Sequence, residues 1–262
     1  AQQHHHTRQL PAQLRRRAGG YAHAKQFRRL KRVLRRQRTL LGCVLREVRR
    51  KMVALSDPAQ QTLLPWLERA DRIHTQRPKD KDKLYALHAP EVECIGKGKA
   101  RKPYEFGVKV SVAVTHANGL MVGARSFPGN PYDGHTLAAQ IEQTNTLLQD
   151  LDVTVKTAVV DMGYRGVDAV VAPVQVIHRG KHKSLLPKQK IWLKRRQAVE
   201  PAIGHLKQDH GMQRCWLKGA QGDALHAVLC AAGFNIRWLL RAIVRLGLGA
   251  VFLRLCALLG LF

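Results

Sequence analysis

The hydrophobic pattern of the chain changes near residue 84. Between Tyr21 and Lys51, apolar residues recur at spacings of three, four and seven, which is the period of an amphipathic helix. The pattern predicts one long helix, or two helices broken near Gly42, followed by a short helix over residues 58–74. The opposite face of the long helix carries arginine and lysine. Residues 76–83 are charged and contain proline, which is typical of a linker.

Strands are predicted after this linker. Residues 106–114 alternate with period two, which predicts a strand, and an Asn-Gly turn at residues 118–119 predicts a hairpin whose second arm covers 120–126. The later patterns predict a helix (135–149), two short buried strands (157–160 and 174–177) and two helices (188–210 and 223–245). This order indicates an α/β fold in which helices flank a mixed sheet that contains one hairpin.

We divide the chain into five segments. They are a polar basic tail (1–20), a basic helical segment (21–75), the linker (76–83), an α/β domain (84–245) and an apolar C-terminal tail (246–262). Arg241, Arg245 and Arg254 make a membrane-spanning helix expensive in the last part of the chain. We therefore expect this tail to pack on the domain or on a partner.

The charge balance indicates a polyanionic partner. Lysine and arginine number 45 against 18 acidic residues, a net charge of +27. This excess favours nucleic acid, with an anionic membrane surface as the weaker alternative. The five cysteines form no CxxC pair, so neither a zinc finger nor a disulfide framework is indicated. Residues 2–8 are polar and do not resemble a signal peptide, and we expect a cytoplasmic protein with reduced thiols.

Two acidic residues occupy positions suited to phosphodiester chemistry. Asp161 ends the apolar run 157–160, and Glu200 lies in the strongly basic segment 190–207. Divalent ions assist DNA strand cleavage and joining, and Mg²⁺ prefers carboxylate oxygen while it keeps several waters. The competing interpretation of Asp161 is a turn-forming residue before Gly163.

Glu200 is flanked by cations. At 3.6 residues per turn, Arg196, Glu200 and Lys207 lie within about 40° of one another on one helical face. The cations suit DNA phosphates on either side of a metal ion. The competing interpretation is a simple helical ion pair between Arg196 and Glu200. Pro201 predicts a kink just past Glu200, because proline removes the hydrogen bond to the Gln197 carbonyl.

These motifs carry a family resemblance. The run Asp161-x-Gly-Tyr-Arg-Gly166 and the later run Arg196-x₃-Glu200-x₆-Lys207 resemble the insertion-sequence-five family of bacterial transposases. Four further segments resemble that family closely, and the similarity extends over about residues 20–245; they are residues 85–100, 103–110, 128–136 and 200–207. The resemblance implies a ribonuclease-H-like fold and an Asp-Asp-Glu site that uses Mg²⁺ or Mn²⁺. It also implies double-stranded DNA as partner, a homo-oligomer on that DNA, no membrane, and a bacterial, nucleoid-associated location.

The resemblance assigns roles residue by residue. Asp161 matches the second acid and Glu200 the third acid, so both are expected to bind metal. Arg196 and Lys207 match the basic positions of a Tyr-Arg-Glu-Lys signature, in which Leu193 stands where the tyrosine is expected. DNA binding is expected at exposed basic positions of the helical segment, a flexible loop and the site itself; these are Arg28, Arg29, Arg32, Arg35, Arg36, Lys97, Lys99, Arg101, Arg165 and Arg195. Tyr164 is expected to contact DNA or to lie in the core.

The first acid of the family has no counterpart in this chain. In similar proteins it lies in a strand such as Asp-Thr-Thr-Val before the basic helical insert, and nothing of that kind precedes Tyr21. We therefore expect that the first strand of the sheet and an N-terminal helix-turn-helix are lacking. Other acids that could serve as a third ligand are Asp57, Asp71, Glu91, Glu93 and Asp133, the last of which is better explained as a helix-entry residue.

The sequence leaves three functions open. The first is a transposase that cuts and joins DNA with Asp-Asp-Glu chemistry, with little or no activity in this shortened chain alone. The second is a non-catalytic DNA-binding remnant that acts as a binder or as an inhibitor of full-length transposase. The third is a cellular nuclease of the same fold.

Overall fold

A computed structural model describes residues 2–96 and 104–259 of the chain; for residues 2–9 it describes the backbone alone. The chain forms two compact units, Ala1–Pro90 and Glu91–Phe262. The predicted loop cations Lys97, Lys99 and Arg101 lie outside the described residues.

The first unit consists of three helices, α1 (Gln2–His23), α2 (Phe27–Met52) and α3 (Asp57–Thr75). Helix α2 packs against both α1 and α3. Its predicted amphipathic character is confirmed, because Val33 and Leu45 are buried while its arginines are exposed. The sequence predicts a polar tail for residues 1–20, whereas the structure places residues 2–20 in α1. Helix α3 confirms the short helix predicted over 58–74.

The break between helices lies at residues 24–26 and not at Gly42. Lys25 adopts a positive φ of 54°, which ends α1. Gly42 is buried in the middle of α2, where a Cβ atom would lie 2.9 Å from Nε2 of His74 in α3. The predicted break near Gly42 is therefore wrong: this glycine allows two helices to approach closely.

In the part of the second unit that the structure describes, six short strands form three two-stranded sheets. They are β1 (Glu93–Gly96), β2 (Tyr104–Gly107), β3 (Lys109–Val114), β4 (Met121–Phe127), β5 (Thr157–Val159) and β6 (Gln175–Ile177). β1 and β2 pair antiparallel, β3 and β4 form an antiparallel hairpin, and β5 and β6 pair in parallel.

The predicted hairpin is confirmed, and the predicted single mixed sheet is not observed among the described residues. Two strands replace the single strand predicted over 106–114, because β2 ends at Gly107 and β3 begins at Lys109. Gly107, where the division lies, has a φ of +150°. The alternation of polar and apolar side chains along a segment identifies a strand. It does not determine which strands distant in sequence form hydrogen bonds with each other. The fold is thus a mixed α/β arrangement with small sheets.

The described residues of the second unit also form five α-helices. They are α4 (Asp133–Leu148), α5 (Pro187–Arg195), α6 (Val199–Gln208), α7 (Gly219–Arg245) and α8 (Gly249–Leu258). The largest core cluster joins Met121 and Ala124 of β4 to α6 and α7. Helix α7 is anchored there by Asn235, whose side-chain oxygen accepts from the Met121 N–H at 2.9 Å and whose side-chain nitrogen donates to the Met121 carbonyl at 2.7 Å.

The helix predicted over 188–210 is broken. Helix α5 ends at Arg195, a 3₁₀ turn covers Arg196–Ala198, and α6 begins at Val199. The break thus precedes Glu200, and the predicted kink after it is wrong. Pro201 falls in the first turn of α6, where a backbone N–H has no partner within the helix and proline is tolerated.

Helix α7 is, among the described residues, long enough and apolar enough to cross a membrane by length and composition alone. Core helices pass the same test, and α7 packs its small residues Ala227, Ala231 and Ala242 inward. The apolar tail predicted from residue 246 contains α8, in which Cys256 is buried and most leucines are exposed. All five cysteines are free thiols.

Candidate active site at the end of strand β5

Asp161 directly follows the parallel strand pair. The Val160 N–H donates to the Ile177 carbonyl at 2.8 Å, which continues the pairing of β5 with β6 up to the residue before Asp161. Oδ1 of Asp161 accepts from the Met162 N–H at 2.8 Å and begins a 3₁₀ turn over Met162–Tyr164. The turn-forming role considered from the sequence is therefore present, and the carboxylate remains 63% exposed.

Arg196 contacts the second oxygen of this carboxylate. Its guanidinium nitrogen lies 3.5 Å from Oδ2 of Asp161, and its side chain is only 22% exposed. The ion pair that the sequence allows between Arg196 and Glu200 is thus replaced by one with Asp161. The 3₁₀ turn explains this difference, because Arg196 and Glu200 no longer belong to one regular helix.

Glu200 lies in the first turn of α6 and is exposed. It follows Arg196 by four residues, across the 3₁₀ turn. Asp161 and Glu200 stand 39 positions apart in the sequence (200 minus 161). Both carboxylates are exposed to solvent.

Asp133 is a third acid beside the turn that carries Asp161. It lies at the start of α4, and Nζ of Lys109 donates to its Oδ1 at 3.0 Å and also to the Pro131 carbonyl. A Cβ atom built on Gly163 would lie 2.7 Å from Oδ2 of Asp133. Asp133 is thus both a helix-entry residue and a direct neighbour of this turn.

The other four candidate third acids lie elsewhere. Asp57 and Asp71 belong to the first unit, where Asp71 pairs with Arg49. Glu91 accepts from the Gly219 N–H at 3.2 Å at the start of α7, and Glu93 lies in β1.

Tyr164 ties the turn to its surroundings. Burial raises the pKa of its phenol, and hydrogen bonds to Thr136 of α4 and Ser111 of β3 oppose part of that rise. The ring packs against the core cluster that contains Leu137 and Val167. Tyr164 therefore packs against the core, which is one of the two roles expected for it from the sequence. Sequence reasoning missed Ser111 and Thr136, because no local signal marks side chains that meet only through the fold.

The remaining predicted basic residues are distributed around this region. Nζ of Lys207 on α6 lies 3.6 Å from Oε2 of Glu105 on β2. The guanidinium of Arg195 donates to the Ala117 carbonyl in the hairpin turn. Arg165 is exposed directly after the 3₁₀ turn. Leu193, which stands where the family signature has tyrosine, is buried against Ile177 and Leu185.

The predicted DNA-binding arginines of α2 lie in the first unit. All five are exposed; they are Arg28, Arg29, Arg32, Arg35 and Arg36. At 100° per residue they fall within an arc of about 120° on one side of the helix. They thus form a continuous cationic face, which we name the α2 arginine face.

The donor chemistry of the site suits a hard divalent ion. Asp161 and Glu200 offer exposed carboxylate oxygens, and Mg²⁺ is commonly held by one or two carboxylates together with water. Within residues 2–96 and 104–259, no three histidine, cysteine, aspartate or glutamate side chains cluster closely enough to form a complete metal cage. The site can therefore supply part of a coordination sphere, with solvent and phosphate oxygens as the remaining ligands.

Substituting alanine for Gly163 is expected to destabilise the second unit by about 1–3 kcal/mol, because the new methyl group meets Asp133. Gly204→Ala in α6 is the matched control: its Cβ meets nothing within 4 Å, and alanine favours the helix by about 0.5–1 kcal/mol. Denaturant unfolding measures both changes. Adding Asp133→Ala to Gly163→Ala should recover part of the loss; a fully additive double variant would contradict the contact.

Part of the second unit is similar to a known protein family. Residues 174–240 match the family model of a transposase DDE domain. The matched segment covers 67 of the 262 residues (174 to 240 inclusive) and contains Arg196, Glu200 and Lys207. No match was found among curated proteins or among solved structures. The match supports a DDE-type transposase but does not distinguish the insertion-sequence-five family from other families of this type. The matched segment begins after Asp161 and does not include it.

Proposed function

We propose that this chain is a DNA transposase polypeptide of an insertion sequence, of the insertion-sequence-five type, whose chemistry is centred on Asp161 and Glu200. The observation that carries the proposal is the contact of Arg196, four residues before Glu200, with Asp161. Asp161 is thereby joined to the segment 174–240 that matches the transposase DDE domain, and this segment contains both Arg196 and Glu200.

Asp161 and Glu200 would hold Mg²⁺, or Mn²⁺ in its place, between them. When bound, a divalent ion neutralises charge on the scissile phosphate and promotes attack by water or by a 3′-hydroxyl. Tyr164 and Asp133 hold the turn that presents Asp161. Arg196 pairs with that carboxylate and would offer its guanidinium to a phosphate oxygen, for which its planar donor pattern is well suited. Lys207 supplies a second cation two turns further along α6.

We assign the affinity for DNA mainly to the attraction between basic side chains and DNA phosphates. The α2 arginine face carries five cations without an acidic residue among them, and the chain as a whole has a net charge of +27. Contacts of this kind bind phosphates without reading the sequence. We further propose that the β3–β4 hairpin and the β5–β6 pair correspond to strands of a ribonuclease-H-like fold. The order of the strands and the position of Asp161 after β5 support this proposal.

A non-catalytic DNA-binding role is the second candidate. It is favoured by the ion pair that occupies Asp161 and by the absence, among the described residues, of a third acid that completes a metal cage. Such a chain would bind DNA and reduce the activity of full-length transposase in mixed oligomers.

A cleavage assay separates these functions. The substrates are a labelled duplex that ends in the terminal inverted repeat flanking the coding region and a duplex of unrelated sequence, each with Mg²⁺ or Mn²⁺. Metal-dependent cutting at the repeat supports the transposase, even at a low rate. Binding without cutting supports the remnant, and equal cutting of both duplexes supports a general nuclease. A chain that binds neither duplex would refute all three.

A further inference from the structure

Helix α7 carries a second surface that the proposed chemistry does not use. Its buried side faces the hairpin through Ala227, Cys230, Ala231 and Asn235. The opposite side is apolar and largely exposed from Leu225 to Leu246, the residue that follows the last residue of α7. Leu225, Leu229, Ile236, Leu239 and Leu246 expose between 52% and 68% of their surface. Exposed apolar stripes of this length mark interaction sites in folded proteins.

The spacing of this stripe is that of a coiled coil. Leu229, Ile236 and Ile243 occupy the a positions of successive heptads, and the intervening d positions are Leu225, Ala232, Leu239 and Leu246. The spacing alternates strictly between four and three from residue 225 to residue 246. Isoleucine at a with leucine at d favours two parallel strands over larger assemblies.

The charges of α7 are compatible with a second copy of the same helix. Arg237, Arg241 and Arg245 fall at the outer positions b, f and c, and Arg237 pairs with Asp209 at 2.9 Å. The e and g positions that flank the seam carry no lysine, arginine, aspartate or glutamate between residues 225 and 245. Two copies can therefore approach without opposed like charges, despite the strongly basic composition. A helix lying on an anionic membrane would instead place its cations along the border of the apolar face.

We infer that α7 is a dimerisation helix that pairs in parallel with α7 of a second copy of this chain. The seam of 22 residues (225 to 246) is about 33 Å long at 1.5 Å per residue. The interface is independent of the nuclease site, since Ile236 takes no part in it and Glu200 lies on another helix. Failure of the dimer and failure of the proposed chemistry are thus distinguishable.

Sedimentation velocity of the full chain, freed of nucleic acid at high salt, tests the inference. The wild-type chain is expected to sediment as a species of 59 kDa, twice its mass of 29.5 kDa. Ile236→Glu buries a charge at the centre of the seam and should weaken self-association at least about 100-fold. Val244→Glu is the matched control, because Val244 is exposed on the same helix at an outer b position. Its self-association should stay within about threefold of wild type.

Mixing two monomeric variants tests the direction of the pair. In a parallel dimer residue 236 faces residue 236 of the second copy, so a mixture of Ile236→Glu and Ile236→Lys should recover a heterodimer. Melting curves by circular dichroism check that each variant is folded. The inference is overturned if the wild-type chain stays monomeric, if Val244→Glu weakens the dimer equally, or if the mixture fails to associate. It is also overturned if the chain is monomeric and binds anionic phospholipid vesicles through Ile236.

Discussion

Glu200→Gln is expected to lower metal-dependent DNA cleavage by about 1,000-fold, which corresponds to about 4 kcal/mol of activation free energy. DNA affinity should change by less than about twofold. Glutamine keeps the size of glutamate but loses the negative charge that a divalent ion requires. Because the phosphate contacts are assigned to arginine and lysine, binding and chemistry should separate. Nicking of supercoiled plasmid with Mn²⁺ and a fluorescence binding assay measure the two quantities on the same preparations.

Glu142→Gln is the matched control for this experiment. Glu142 is an exposed carboxylate of α4 that pairs with Arg125 at 3.3 Å, away from the proposed metal ligands. Its substitution should leave cleavage and binding unchanged. Should the wild-type chain cut too slowly to measure, Mn²⁺ binding followed by electron paramagnetic resonance replaces the rate. Glu200→Gln and Asp161→Asn should each weaken that binding at least about tenfold. Equal loss of metal binding in Glu142→Gln would contradict the site.

Removing three cations from the α2 arginine face is expected to weaken DNA binding by about 100-fold near physiological salt. The triple variant replaces Arg28, Arg32 and Arg35 with glutamine. The slope of the logarithm of affinity against the logarithm of salt concentration should fall by about 2.7, since each phosphate contact contributes about 0.9. Binding titrations at several salt concentrations measure both numbers on a duplex of arbitrary sequence.

The linker supplies a control with the same change in charge. Lys79, Lys81 and Lys83 lie in the charged stretch of residues 76–83; the first two are exposed and Lys83 is half-buried. Their triple substitution with glutamine should reduce affinity by less than about threefold if α2 forms the binding surface. Equal losses in the two triple variants would mean that net charge alone governs binding, and the α2 arginine face would have no special role.

Local patterns predicted the elements of this fold better than their assembly. The period of α2, the hairpin of β3 and β4, and the position of Asp161 after the half-buried strand β5 all follow from side chains that are close in sequence. The joining of strands into one sheet did not follow from such patterns, because it depends on hydrogen bonds between distant segments. The structure has three two-stranded sheets among its described residues.

Glycine and proline were the residues whose local interpretation failed. Gly42 predicted a helix break, yet it lies inside α2, where the His74 side chain approaches the backbone. Pro201 predicted a kink after Glu200, yet it belongs to the first turn of a new helix. Both residue types act differently at the end of a helix and in its interior, and their position relative to that end is set by packing.

Asp161 and Glu200 were proposed as candidate acids from the sequence, while the contacts around Asp161 were not. The ion pair of Arg196 with Asp161 and the approach of Asp133 to Gly163 both join segments separated by at least 30 residues. A resemblance between sequences indicates which side chains matter. The spatial neighbours of those side chains emerge only when the chain is folded.

The amide of Asn235 has a consequence for the whole of α7. Apolar contacts are not directional, so they define the rotation of a helix about its long axis less sharply than hydrogen bonds do. The paired hydrogen bonds with the backbone of Met121 exist at one angle of rotation only. Turning the helix by a single residue would leave that amide and a peptide group unsatisfied, at a cost of about 1–3 kcal/mol for each buried group. One polar side chain thereby fixes the rotation of a 27-residue helix about its own axis. The same contact sets the direction in which every other side chain of that helix points.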